Sequence, residues 1–356
     1  MFTFAGTMDA AEMEAVGVSP DGKSFVLAPS GRPFQVWGLN YDHDSQGEGR
    51  LLEDYWTDEW ETVRADFREM KDLGANVVRI HLQFGKFMRG PETPNESSLA
   101  QFRRLLALAE ETGLYLDLTG LGCYHKAGTP AWYDAMDEPA RWAAQARFWT
   151  AIARTCRDSR AVFCYDLMNE PIAGGKETDD WVGDELGGKH YVQRLTRTPG
   201  SRTAEEIAKA WAMQLAAAIR AEDREHLITV GVIPWAHVWP NAKPVFYSPE
   251  VSPAFDFVSI HLYPGKGEVD RALEALAVYD LGKPLLIEET FPLNCSLEEM
   301  DDFLKRSKTR AEGYVSFYWG RTPEEYAAAT EKKELATLIG AWLKYFREQA
   351  DVMKQP

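Results

Sequence analysis

Histidine, cysteine and positive charge are all scarce in this chain, and each scarcity removes a class of function. Seven histidines occur in 356 residues. None falls in an HxH or HExxH pattern, so neither a metal nor another cofactor is expected. The four cysteines, Cys123, Cys156, Cys164 and Cys295, form no CxxC pair, and ordinary buried thiols are expected. Against 55 acidic residues stand 39 basic ones, a net charge of −16. That balance argues against nucleic acid or an anionic membrane as partner and suits a neutral or cationic one. No apolar run approaches membrane-spanning length. The opening stretch Met1 to Val16 carries Asp9, Glu12 and Glu14 and has neither a basic start nor a long apolar run, so it does not read as a signal peptide. The chain as written is expected to be cytoplasmic, or secreted if a leader has been removed.

What the chain does have is apolar mass. At 45% apolar and 12% aromatic content it can bury a large core. A single domain over residues 1–356 is expected, because strands and helices alternate along nearly all of it. Val16-Gly17-Val18 and Ser24-Phe25-Val26-Leu27 flank the turn Ser19-Pro20-Asp21-Gly22 and read as a hairpin within a leading segment 1–33. Buried strands are expected at 34–40, 76–80, 115–118, 162–165, 227–231, 257–261, 284–289 and 314–319. Helices are expected between most of them. Trp60, Val63, Phe67 and Met70 form one stripe ahead of Gly74, Asp137 stands as a cap, and Thr203 with Glu206 and Ser296 with Glu299 are capping boxes. The stretch from Trp235 to Asp256 shows no convincing helix, and the glycine-rich stretch 172–202 reads as a long loop. Eight buried strands separated mostly by helices point to an α/β fold, a (β/α)8 TIM barrel. An open doubly wound sheet is the alternative, but Asn40-Tyr41-Asp42-His43, not a glycine-rich phosphate loop, follows strand one.

In a barrel every strand's carboxyl end faces one mouth. Those ends carry Asn40 and Asp42, Arg79 with His81, Thr119, Asn169 with Glu170, Trp235, His261 with Tyr263, Glu288 or Glu289, and Trp319. The Glu170 carboxylate stands where the run 161–165 ends, just ahead of Pro171; a solvated strand-end glutamate is the plain alternative. Two carboxylates on strands four and seven, among aromatics and hydrogen-bonding groups, suit glycosidic bond cleavage. One protonates the leaving oxygen while the other attacks or stabilises the anomeric carbon, at about 5–5.5 Å separation if configuration is retained. Glu288 and Glu289 are adjacent, so strand alternation lets only one reach the mouth. Trp132, Tyr133, Trp181, Tyr191, Trp235 and Trp239 are candidate sugar-stacking platforms, with loop packing as the alternative.

Five short stretches in order, Gly74-Ala75-Asn76-Val77-Val78-Arg79-Ile80, Met168-Asn169-Glu170-Pro171, His261-Leu262-Tyr263, Pro284-Leu285-Leu286-Ile287-Glu288-Glu289 and Phe317-Tyr318-Trp319-Gly320, resemble glycoside hydrolase family 5, the cellulase and mannanase group of retaining glycosidases. The resemblance covers nearly the whole chain. It implies Glu170 as acid/base and Glu289, five places after Pro284, as nucleophile. It also implies that Asn169 binds the sugar 2-hydroxyl, that Tyr263, on one strand face with His261, and Arg79 hold the nucleophile, and that Trp319 is the sugar platform. Apart from the resemblance, His81 shares a face with Arg79 and is a candidate to reach the substrate, with a structural histidine as the alternative, and Trp235 stands out among the candidate platforms because it directly follows a strand end. The implied substrate is an oligo- or polysaccharide, a β-1,4-linked glucan, mannan or related glycan. The chain departs from the family where Thr119-Gly120 replaces a strand-three histidine, with His125 only further along, and where Thr290-Phe291 follows the nucleophile. A glycan-binding barrel that has lost turnover is the alternative reading.

Overall fold

The computed structural model describes residues 13–43 and 49–356. The first 12 residues, on which most of the leader reading rests, lie outside them. The core is a parallel sheet of nine segments: β1 (Val36–Tyr41), β2 (Val77–Gln83), β3 (Tyr115–Gly122), β4 (Val162–Asp166), β5 in two pieces (Leu227–Thr229 and Gly231–Val232), β6 (Val258–His261), β7 (Leu285–Thr290) and β8 (Gly313–Trp319). The two pieces of β5 are the two ends of the sheet, one paired with β4 and the other with β6. They are a single strand broken at Val230, so the sheet closes into a barrel of eight strands, as the sequence implied.

The longer helices, each of 10 residues or more, are α1 (Trp60–Asp72), α2 (Glu96–Thr112), α3 (Glu138–Cys156), α4 (Ala204–Arg220), α5 (Val269–Val278), α6 (Leu297–Ser307) and α7 (Lys333–Met353). Their ends follow local chemistry. Asp137 accepts from the Ala140 N–H to cap α3, and Thr203 and Ser296 form the expected capping boxes. α2 closes on Gly113 at φ +67°, a left-handed conformation that glycine adopts without penalty. Only a single turn, Trp235–Val238, and a 3-10 turn, Ser252–Ala254, stand between β5 and β6, the gap the periodicity left there. No described helix is long and apolar enough to cross a membrane.

The hairpin Ala15–Val18 with Phe25–Ala28 closes the barrel floor. Phe25 is fully buried edge-on against Phe163 and Phe257, both at 5.1 Å. Val36, Val77, Phe163, Leu227, Leu286 and Val315, at or near the strand starts, complete that cluster. The floor is therefore apolar and sealed, which leaves the opposite rim for polar chemistry. β2 and β3 run three and four residues past their expected ends, to Gln83 and Gly122, and so raise His81 and the following loop to that rim.

Candidate active site

Arg79 on β2 is fully buried inside the barrel, and three other strands supply its partners. Nη2 donates to Asp166 Oδ2 and to Asn169 Oδ1, both at 2.9 Å. Nη1 donates to Asn40 Oδ1 at 3.0 Å and to Glu289. Glu288 Oε1 lies 3.8 Å from Nε. Burial works against the guanidinium charge, but Glu288, Glu289 and Asp166 outweigh it and hold the group ionised.

Glu288 and Glu289 both turn inward, against the expectation from strand alternation. The register of β7 shifts against β6 between Ile260 and His261, and against β8 between Ile287 and Thr290. Such an irregularity re-aims side chains and lets neighbours share a face. They differ in depth instead of direction. Glu288 is fully enclosed, whereas Glu289 lines both cavities of the mouth. Tyr263 donates its hydroxyl to Glu289 Oε2 at 2.7 Å.

Across from Glu289, the chain leaves β4 and turns at Glu170 with φ +46°, a conformation uncommon for a side-chain-bearing residue. The turn is held by Glu170 N–H donating to Gly231 O at 2.9 Å. His261 bridges the carboxylates. Its Nδ1 lies 2.9 Å from Glu170 Oε1 and 3.5 Å from Glu289 Oε2, and its Nε2 lies 3.2 Å from Glu288 Oε2. Burial opposes charge on this ring, but Glu289, Glu170 and Glu288 prevail and push its pKa up to about 10. The donor atoms of Glu170, His261 and Glu289 fall within 4.8 Å of one another, near enough to share an ion. A cation there would face the Arg79 guanidinium and a protonated imidazole, which favours reading the group as a hydrogen-bonded carboxylate pair.

Other residues singled out from the sequence divide into two groups. Asn169 is nearly buried, with Oδ1 taken by Arg79 and Nδ2 donating to Tyr191 O at 3.0 Å. His81 lines the mouth, bonded to the Tyr124 hydroxyl and 3.3 Å from Asn40 Oδ1. Burial and the Arg79 charge depress its pKa and keep it neutral. Trp319 does not lie open as a platform. It is 1% exposed and stacked on Tyr41 at 6.0 Å, and Phe317, one turn of the pleat earlier, lines the mouth in its place. Trp235 is also displaced from the carboxylates. It lines a separate apolar pocket with Ile172, Val245 and Tyr279 and stacks on Trp239. Trp181 and Tyr133 are core residues, whereas Tyr191 lines both mouth cavities.

The chain matches the model of the cellulase family, glycosyl hydrolase family 5, over residues 27–319. It belongs to that family. Family 5 membership makes it a glycoside hydrolase with a carbohydrate substrate. No curated protein matches the chain at the level of sequence. Among solved structures it is similar to the exo-β-1,4-mannosidase Op5Man5 from Opitutaceae bacterium strain TAV5, with TM-score 0.69 and 19% identity over 95% of this chain. The chain spans 62% of that protein's length. It is also similar to a β-mannanase from the blue mussel Mytilus edulis, with TM-score 0.63, 15% identity and coverage of 95% and 97% of the two chains. The Thermobifida fusca endoglucanase Cel5A gives TM-score 0.58, 16% identity and coverage of 96% and 97%. At these identities the likeness shows the barrel fold.

Two buried acids under the mouth, Asp117 and Asp166, escape the sequence reading, and Glu288, the alternative nucleophile there, lies buried with them. Asp166 had a legible signal, since an acid inside an apolar strand needs a buried partner. Thr119, standing near the place of the missing strand-three histidine, donates to Asp166 Oδ2 at 2.8 Å. Burial and the Glu288 charge, against Arg79, raise the Asp166 pKa to about 6. Lys189 was missed as well. It comes from the loop 172–202 and reaches Asp42 at 3.1 Å, and both line the mouth.

Proposed function

We propose that this family 5 member is a retaining β-glycosidase that removes single sugars from the non-reducing end of a β-1,4-linked mannan, glucan or related glycan. The observation that carries the reading is the pairing of Glu170 and Glu289 across His261, with donor atoms within 4.8 Å. That close approach suits direct attack by one carboxylate and leaves little room for an intervening water. Glu289, fixed by Arg79 and Tyr263, is placed to attack. Glu170 is placed to protonate the leaving oxygen and then to activate water.

The two cavities support a direction of cleavage. Glu289 lines both, but Glu170 lines only the one with Ile172, Leu186, Val192, Tyr263 and Leu293. The leaving group must meet the acid, so it belongs in that cavity, and the sugar being attacked belongs in the other. That second cavity is walled by Lys189 and Asp42. The loop 172–202 reaches it by passing over the loop after β3, where His190 N–H donates to Tyr124 O at 2.8 Å. Such a wall supports one-ended action, and the β-1,4-exo-activity named for Op5Man5 is consistent with it.

Mannohexaose and cellohexaose digests followed with time test the proposal. Steady release of monosaccharide from the non-reducing end is expected, and an even ladder of internal products would overturn the one-ended reading. In Glu170→Ala, azide should restore turnover with a β-glycosyl azide product; in Glu289→Ala, with an α-glycosyl azide. Wild-type activity in both Glu170→Gln and Glu289→Gln would remove the assignment.

A further inference from the structure

Glu288 has no part in the mechanism above, yet it is a fully buried carboxylate one shell beneath the reacting groups. Its Oε2 meets His261 Nε2 at 3.2 Å, and the Asp117 carboxyl hydrogen-bonds the same carboxylate. Gly231 makes room for this contact. A Cβ built there would collide with both Glu288 Oε2 and His261 Nε2, so the absence of a side chain at 231 is what lets the carboxylate reach the ring. His261 then has both nitrogens committed, Nε2 to Glu288 and Nδ1 to Glu170 at 2.9 Å.

We propose that Glu288 is a positioning residue which, through His261, stores the proton that Glu170 delivers to the leaving group. The inference rests on the glycosidase reading above. With the Nε2–H held by Glu288, the Nδ1–H of the imidazolium points at Glu170. The His261 Nδ1–H bond breaks as an O–H bond forms at Glu170 Oε1, and Glu170 passes a proton on to the leaving oxygen, which leaves Glu170 as carboxylate and His261 as neutral imidazole. When Glu170 later takes a proton from the attacking water, that proton passes back to Nδ1. The relay returns to its starting state with no net proton gained or lost, and the barrel interior need not exchange with solvent during turnover.

The electrostatics support this arrangement. Burial alone would discharge His261, but the surrounding carboxylates keep it protonated to about pH 10. Burial also opposes the Glu288 charge, and Arg79 and His261 overcome it, holding its pKa at about 2. The other groups facing these two are Asp117 on β3, Cys164 and Asp166 on β4, His81 on β2, Glu289 on β7 and Tyr247 from the loop after β5. Of these, Asp117 is kept protonated, chiefly by burial and the Glu288 charge, so it does not substitute for Glu288 as an anion.

The test is a pair of titrations on the full chain: the pH dependence of kcat/KM, and the 15N resonances of His261. Wild type, Glu288→Gln, Gly231→Ala and Asp117→Asn are compared, each shown to be folded by its thermal transition. In Glu288→Gln and Gly231→Ala, the His261 titration and the alkaline limb of kcat/KM should both move down by about 1–3 pH units, the range for loss of one close opposite charge. Asp117→Asn should leave the alkaline limb in place. An unmoved His261 titration in Glu288→Gln overturns the proposal. So does a moved titration with an unmoved alkaline limb, since the stored proton would then not be the one Glu170 uses. If wild type cleaves no glycoside, the functional reading fails separately, and the resonances still decide whether Glu288 holds the imidazolium.

Discussion

Arg79 shows how far one side chain can organise a site. Its guanidinium ties β2 to β1, β4 and β7, and each of its carboxylate partners is buried. Removing one member of such a network leaves uncompensated charge, at a cost of about 3–5 kcal/mol. Arg79→Met is therefore expected to lower the thermal midpoint sharply at pH 7, and chemical denaturation would measure the loss. A fall in activity with unchanged stability would show that the network serves catalysis alone. Tyr263→Phe is milder. It deletes one hydrogen bond to the Glu289 carboxylate, so kcat/KM should fall by about 10-fold or more, since bonds to charged groups contribute roughly 1.5–3 kcal/mol. The fold itself should be unaffected, as circular dichroism would report. At this scale the sequence was readable wherever a residue's strand position announced its place at the mouth, as with Arg79, Glu170 and Tyr263. It was not readable at Glu288, because the shift in β7 register depends on what β6 and β8 present to it, and strand alternation knows nothing of neighbours.

Two elements that are not part of the barrel wall govern what the barrel can do. The floor hairpin was legible from its turn residues, but not the burial of Phe25 in the barrel floor, which depends on Phe163 and Phe257 from distant strands. Phe25→Ala removes a ring enclosed by Phe163 and Phe257, and a loss of about 3–5 kcal/mol is expected. KM of the surviving folded enzyme should not change, because the floor lies at the opposite end from the mouth. The loop 172–202 was legible only as a long irregular stretch. Its path across the loop after β3 toward β1 depends on Lys189 meeting Asp42 and His190 meeting Tyr124, contacts that leave no periodic trace. Lys189→Ala should loosen the far wall, and the share of oligosaccharide products from mannohexaose should rise over wild type. An unchanged product profile would show that the wall stands without this pair.

For the molecule as a whole, stability and charge are coupled through the buried ionisable cluster. His261 has a folded pKa near 10 against 6.5 for the free side chain. Its contribution is thus fully present below about pH 6.5, declines as pH rises, and is gone above about pH 10. Asp166, with a folded pKa of about 6 against 3.8, acts in the same direction over a lower window: it favours the folded state below about pH 4 and ceases to do so above about pH 6. Glu288, held at about 2, acts oppositely and loses its contribution only as pH falls below the ordinary carboxylate range. Thermal midpoints should accordingly fall between pH 7 and pH 10 in wild type, and fall less steeply over that interval in His261→Asn. The eightfold strand–helix rhythm was legible because burial on both faces of a parallel sheet writes apolar runs directly into the sequence. The break in β5 at Val230 was not, since it arises where Asp166 takes the Gly231 N–H and Tyr247 donates to Val230 O.

The seam between β8 and β1 has a consequence for synthesis. α7 covers it: the Trp37 indole N–H of β1 donates to Phe346 O at 3.1 Å, the Trp342 indole N–H donates to Ser316 Oγ of β8 at 2.6 Å, and Gly74, just before β2, has no room for a Cβ against Ala350. The first strand of the barrel thus waits for one of its last helices. While a ribosome is still making residues 333–353, β1 and β2 have no cover on that side and Glu289 already exists opposite an Arg79 whose strand is not yet sealed. The mouth can be completed only after that final stretch emerges, so a chain arrested before it should carry every reacting group and still be inactive.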